Sequence, residues 1–388
     1  MGRKFLIIDD SALMRRVMFD IITKNSEYEV VDVANNGMEG LDKIVSRPGY
    51  YDLILLDINM PKMNGLEMLE ALAKHRVKET VVVVSTVAKE GAKETLRALE
   101  LGAMDFVTKP ENFYEVKGEG FRDNILNLIE CVCGQDYNKS KANTVPSTTT
   151  VPKVTRETTK EVTAPITRPT IPVIGNTSTQ EVESTVKGAA NVKPGKTKLV
   201  ALACSTGGPK SLQQVIPFLP ANLDAPVVMV QHMPKGFTES LAARLDGLGQ
   251  IKVHEAKDGD LIEKGHVYIA PGGMHIKVEK KGAQHFIRYE DVPPVDGLKP
   301  CANIMYRSLL TCDYDEITCV VLTGMGADGT AGIKELAASG QKIHVIGQDK
   351  DSCVVYGMPR ALAEAGLTDE VVPLNKITQS IIKNVGVS

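Results

Sequence analysis

The chain has 388 residues, 43% of them hydrophobic, and 45 Lys and Arg stand against 48 Asp and Glu for a formal net charge of −3. That length is long for one core and comfortable for two α/β domains. The near balance of charge excludes a whole-chain field that would draw the protein to nucleic acid or to an anionic membrane surface.

The first apolar run, Phe5-Leu6-Ile7-Ile8, stops at Asp9-Asp10. It is too short for an export signal, and no later run approaches the ~18 apolar residues of a membrane span, so a cytoplasmic location is expected. From there strands and helices alternate. KFLIID, YEVVDVA, YDLILLD, TVVVVST and AMDFVTK are short runs rich in β-branched residues, with helical stretches such as SALMRRVMFDIITK and KETLRALELG between them. Apolar runs with little alternation suit strands of a parallel sheet buried on both faces, its loops gathered at the C-terminal ends.

Asp9 and Asp10 follow the first strand, and Asp57 follows YDLILL. In an open parallel sheet these ends lie side by side, and clustered carboxylates persist with a divalent cation; oxygen-only ligands suit magnesium. One carboxylate can also act as a nucleophile toward phosphorus. Ser85 ends the fourth strand and Lys109 follows the fifth, supplying the hydroxyl and ammonium that a phosphoryl group on Asp57 requires. An Asp after a strand is by itself more often a helix cap. Five such residues at strand ends reverse that reading. Residues 1–125 resemble the receiver domains of two-component signalling, in the motifs IIDDSALMRR, LLDINMPKMNG, VVVVST and GAMDFVTKP. The resemblance implies a flavodoxin-like five-stranded sheet, Asp57 as phospho-acceptor, and Mg²⁺ bound by Asp10 with Asp9 assisting and the Asn59 carbonyl completing the set. It also implies Ser85 and Phe106 as switch residues and Lys109 as the accompanying lysine.

Composition then changes. Thr, Pro and Val dominate from about 136 to 196, and no aromatic residue occurs between Tyr137 and Phe218. Repeated Pro removes ladder donors and the alternation is poor, so the stretch reads as an extended linker rather than a small β module. The expected division is a receiver domain at 1–133, a linker at 134–196 and a catalytic domain at 197–388. The seven cysteines are odd in number and scattered; Cys131 and Cys133 are close but lack the second pair of a zinc site.

In the last part KLVALA, APVVMVQ, HVYIA, EITCVVLT and QKIHVIG again read as buried strands, giving a Rossmann-like doubly wound α/β unit. Ser205 stands on a Gly-rich turn before Pro209, a plausible first helical position. Such a turn presents a hydroxyl with a helix N-terminus behind it. Ser before a helix is more often only a cap, so a base and an orienting group decide the matter. Of the seven histidines, His232 alone directly follows a strongly apolar strand. His254 and His344 lie within strand-like runs, and His75, His266, His275 and His285 in polar or turn contexts. Asp328, after EITCVVLTGMGA, supplies a carboxylate at a third strand end. Nucleophile, base and orienter can converge there. A rival reading takes Gly324, Gly326 and Gly329 as G-x-G-x-x-G with Asp349 as the ribose acid. It puts Asp328 inside a pyrophosphate loop, and 39 residues after Asp349 are too few to complete a dinucleotide domain. GGPKS fails as a P-loop, because Pro209 replaces a needed glycine.

ACSTGGP, VQHMPKGFT, VYIAPGGMH and LTGMGADG, in that order behind a receiver, resemble the chemotaxis-specific protein-glutamate methylesterases, the CheB family. The resemblance implies Ser205 as nucleophile, His232 as general base, Asp328 as orienter, the Met325 amide as oxyanion donor, and Thr206 helping to position the histidine. Cys204 stands where a smaller or hydroxylated residue is common, which makes the site a candidate for oxidation. The implied activity is phosphorylation-activated hydrolysis of glutamate γ-methyl esters on chemoreceptors, with deamidation of glutamines. A chemotaxis histidine kinase is the implied phosphodonor, no cofactor is implied for the hydrolysis, and neither nucleic acid nor membrane insertion is expected. In the family the unphosphorylated receiver covers the hydrolase site. A response regulator whose second domain merely binds a partner or DNA is the competing class.

Overall fold

The computed structural model describes residues 2–86, 89–110, 119–133 and 196–388. The expected linker lies outside the described residues except for Lys196. Among the described residues, none of the helices is long and apolar enough to cross a membrane.

The first sheet holds five strands among the described residues: β1 (Arg3–Ile8), β2 (Tyr28–Ala34), β3 (Leu53–Asp57), β4 (Val81–Ser85) and β5 (Asp105–Thr108). Their order is β2-β1-β3-β4-β5 and every pairing is parallel. Chain order reverses between β1 and β3, and at that reversal the ends carrying Asp9 and Asp57 lie side by side. Helices start where the sequence offers a cap. Ser11 accepts from the Met14 amide to begin Ala12–Ile22, and Asn64 forms a capping box with Glu67 to begin Gly65–Lys74.

The second sheet has seven parallel strands among the described residues. Five are the expected runs: β6 (Lys198–Cys204), β7 (Val227–Gln231), β9 (His266–Ile269), β12 (Glu316–Val321) and β13 (Ile343–Gln348). The short edges β8 (Lys252–Glu255) and β14 (Glu370–Val372) complete the order β14-β13-β12-β6-β7-β9-β8. Here the reversal falls beside β6, so the ends of β12, β6 and β7 meet at the centre. All residues of β7 and β12 are buried. This explains why both are predominantly apolar with little alternation.

A separate antiparallel hairpin, β10 (His275–Lys281) with β11 (Gln284–Glu290), was not anticipated. It corrects the placing of two histidines. His275 and His285 are buried on hairpin strands rather than lodged in turns.

The two sheets belong to one compact unit, and a single apolar cluster runs from Leu6 and Val83 through to Val200 and Phe237. The helix Lys89–Glu100 packs on the helix Phe237–Asp246. At that contact Phe106 stacks on Phe237 with ring centroids 4.7 Å apart and planes at 16°, and Arg244 Nε lies 2.5 Å from Glu100 Oε1. A stacked aromatic pair contributes about 0.5–1.5 kcal/mol beyond its area burial.

Candidate functional site

Oxygens of Asp9, Asp10 and Asp57 lie within 4.8 Å of one another at the ends of β1 and β3. Lys109, just past β5, reaches across with Nζ 2.9 Å from Asp9 Oδ2 and 2.8 Å from Asp57 Oδ2. Burial drives the Asp57 carboxyl up to about 6, with Lys109 pulling back and Asp9 adding to the rise. For Lys109 burial alone would lower the pKa, but the two carboxylates outweigh it and the ammonium is raised. Asp9 is wholly buried, and the Lys109 ammonium is the partner its Oδ2 has at 2.9 Å. One ammonium against three carboxylates leaves a negative surplus, which fits a hard divalent cation. The Asn59 side-chain amide donates to Glu94 Oε2 at 3.1 Å. Ser85 Oγ accepts from Thr95 Oγ1 at 2.6 Å and is buried.

The second constellation forms at the ends of β12, β6 and β7. Cys204 and Gln231 are the last register pair of β6 and β7, so Ser205 and His232 stand one residue beyond it on neighbouring strands. His232 Nε2 lies 2.8 Å from Asp328 Oδ2. Asp328 is gripped from a segment for which the sequence offered no clue. Its Oδ2 accepts from the Ala302 amide at 2.6 Å, and its Oδ1 from Asn303 N at 2.9 Å and Cys301 Sγ at 3.2 Å. Asn303 Oδ1 in turn accepts from the amides of Gly329 and Gly332. Burial alone would raise the Asp328 carboxyl, yet the His232 bond and these amides outweigh it and hold it below the usual range. An aspartate so held stays ionised beside its histidine.

Ser205 is set by its backbone. Its amide donates to Thr323 O at 3.0 Å, and Gly207 takes φ +75 to turn the chain into the helix Gly208–Val215. Gly324 admits no side chain, since a Cβ there would stand 2.8 Å from the Ser205 Cβ. Among the described residues no hydrogen bond joins the Ser205 hydroxyl to the His232 ring; such bonds often tighten only with substrate present. Met325 is 40% exposed in the adjoining loop, and its amide donates to no described acceptor. Thr206 was expected to help position the histidine, and the partner found for its side chain is Asp105. Its hydroxyl and the Gly207 amide point at the carboxyl of Asp105, which is driven up to about 6, chiefly by burial.

Cys204 corrects one expectation. It is wholly buried, its Sγ donates to Gln231 Oε1 at 3.0 Å, and burial raises its thiol, so no exposed thiolate invites oxidation. The rival glycine loop, 324–329, carries the Asp328 that pairs with His232, and Asp349 closes a local turn with Ser352. Its residues are committed to the serine site.

The chain matches the family model described as CheB methylesterase over residues 200–381 and the response regulator receiver domain over 5–118. It is 38% identical to a protein-glutamate methylesterase/protein-glutamine glutaminase of Desulfotalea psychrophila, over 98% of each chain. The proteins of the same name from Geobacillus kaustophilus and Bacillus subtilis are 39% and 38% identical, over 99% and 97% of each chain.

Proposed function

The chain belongs to the family of receiver-linked protein-glutamate methylesterases, and from that premise we propose that Ser205, His232 and Asp328 are its catalytic triad. The protein hydrolyses glutamate γ-methyl esters and deamidates glutamines in chemotaxis, under phosphorylation control. What carries the residue assignment is the His232–Asp328 pair at 2.8 Å, standing beside the Ser205 turn at the centre of the sheet.

With Nε2 committed to Asp328, Nδ1 is the ring atom left to take the Ser205 proton. Ser205 Oγ bonds to the γ-carbonyl carbon, the carbonyl electrons move onto oxygen, and the Met325 amide donates to that oxyanion. His232 then returns the proton to the departing methanol or ammonia. Water, deprotonated by the same ring, adds to the acyl carbon, and Ser205 Oγ departs with that proton, freeing a glutamate carboxylate. Asp328 stays ionised and stabilises the imidazolium.

In the receiver, Asp10, Asp9, Asp57 and the Asn59 carbonyl would hold magnesium, which neutralises charge between the carboxylates and an incoming phosphoryl group. Asp57 accepts the phosphoryl group, Lys109 and Ser85 engage its oxygens, and Phe106 responds. Donors are a chemotaxis histidine kinase, substrates are exposed Glu or Gln of chemoreceptor cytoplasmic regions, and the location is cytoplasmic. The boundaries we assign are 1–133, 134–196 and 197–388. Phe106 on Phe237 and Asp105 at the Thr206 turn support a receiver that covers the hydrolase site until phosphorylated.

The test is Ser205→Ala. It should leave fluorophosphonate labelling absent and cut turnover on a methylated receptor fragment on the order of 10⁴-fold or more. Near-normal hydrolysis by a folded Ser205→Ala chain ends this assignment.

A further inference from the structure

Gln231 is the one polar residue of β7, in the run VVMVQ, and it is 1% exposed. Burying a primary amide is unfavourable unless both its ends are bonded. Here Nε2 donates to Ser205 O at 3.1 Å and to His232 O at 3.0 Å, while Oε1 accepts Cys204 Sγ at 3.0 Å. One side chain thus grips the residues assigned as nucleophile and base, through their backbones.

The grip falls where the sheet no longer holds them together. The bond from His232 N to Cys204 O at 3.1 Å is the last rung between the two segments among the described residues. Past it, the Ser205 amide turns to Thr323 O on the opposite neighbour. The space around the amide is also reserved. A Cβ on Gly208 would stand 2.0 Å from Gln231 Oε1 and 3.0 Å from its Cδ, so a side chain at 208 and this amide exclude each other.

We propose that Gln231 is a positioning residue that sets the separation of the Ser205 turn from the His232 loop, so that hydroxyl and ring nitrogen meet during proton transfer. It touches neither the substrate nor the reacting atoms. The inference rests on Ser205 and His232 being nucleophile and base.

Full-length chain, supplied with magnesium and a small phosphodonor, is compared with its Gln231→Glu and Gln231→Met variants. Glu is isosteric but cannot donate to two carbonyls, and Met fills the volume without donating at all. Turnover on a methylated receptor fragment should fall roughly 10–100-fold with KM within about twofold, since displacements of about 1 Å carry such penalties. Fluorophosphonate labelling of Ser205 should slow in step. Gly208→Ala, which displaces the amide from outside, should slow labelling as well. In Gly208→Ala/Gln231→Ala the overlap is gone, and the new methyl takes part of the space the amide leaves. Its thermal midpoint should recover relative to Gly208→Ala, because the overlap with the amide has been removed, while labelling stays slow. Labelling within about twofold of the unmodified chain in any folded variant lacking the amide overturns the proposal. So does a double variant that regains rate together with midpoint. An unmodified chain that the probe leaves unlabelled at Ser205 overturns the triad assignment itself, a distinct failure.

Discussion

Asp328 illustrates how one residue is made fit for the orienting task proposed for it. Its two oxygens accept from His232, Ala302, Asn303 and Cys301, and the Cys301 thiol is itself pushed up to about 12 by burial and by this carboxylate. Asp328→Asn keeps the shape but offers an NH₂ where an ionised oxygen meets the ring. The histidine then loses both its tautomer and the charge that stabilises the imidazolium. Turnover should drop on the order of 10³–10⁴-fold with the fold retained, read from steady-state kinetics beside circular dichroism. The residue was legible because it follows an apolar strand. Its cradle at 301–303 was not, because backbone amides at a helix start leave no signature in side-chain identity. Gln231 did leave one, a lone amide closing an otherwise apolar strand, where a buried polar group must have partners. At the receiver pocket, the surplus of carboxylates over Lys109 carries a further prediction. Excess chelator should abolish phosphorylation of Asp57 by a small phosphodonor, followed by intact mass, because the attacking oxygen stays opposed to an anionic donor. Equal phosphate uptake with and without chelator contradicts the pocket assignment.

Among the elements, strands ending in or just before Asp, Ser or His were readable, because buried parallel strands are largely apolar until they reach the loop edge. The hairpin β10–β11 was not. HIKVEKK and QHFIRYE carry charges through their length, as a ribbon with one wet face does, and resemble surface loop. Also hidden was the element contact that puts Asp105, at the start of β5, against the Thr206 turn. Asp105 has an ordinary value near 3.8 and is raised to about 6 in the folded chain, so the folded chain binds this proton more tightly. Its contribution to stability is therefore full below about pH 4 and is lost as pH climbs through about 6. Asp105→Asn removes that titration. The difference in thermal midpoint between variant and unmodified chain should be small at pH 4 and favour the variant by pH 7. A difference independent of pH across that window excludes Asp105 as its source. Because the neutral side chain also faces Thr206 and Gly207 without the desolvation penalty, the unphosphorylated variant should hydrolyse ester more slowly than the unmodified chain.

For the whole molecule the question is whether the receiver recruits the enzyme or restrains it. The apolar cluster continuous across both sheets, the Phe106–Phe237 stack and the Arg244–Glu100 pair describe a state in which the halves are packed, with Asp105 over the serine turn. If this state withholds the site, removing the receiver leaves nothing to compete with the open form. An interface that favours closure by about 1.4 kcal/mol keeps roughly nine molecules in ten closed, so relief alone raises the rate about tenfold. The second sheet has its own buried core on both faces, from Val200, Leu202 and Met229 on one side to Ala201, Val228 and Tyr306 on the other. The fragment beginning near Thr197 should therefore fold, and should hydrolyse a soluble methylated receptor fragment faster than the unphosphorylated full chain. Phe106→Ala in the full chain should move the rate in the same direction by a smaller factor, since it removes the stack and leaves the rest of the contact. Recruitment predicts otherwise. Equal rates for fragment and full chain, with the full chain also indifferent to phosphodonor, would leave the packed state without a regulatory part.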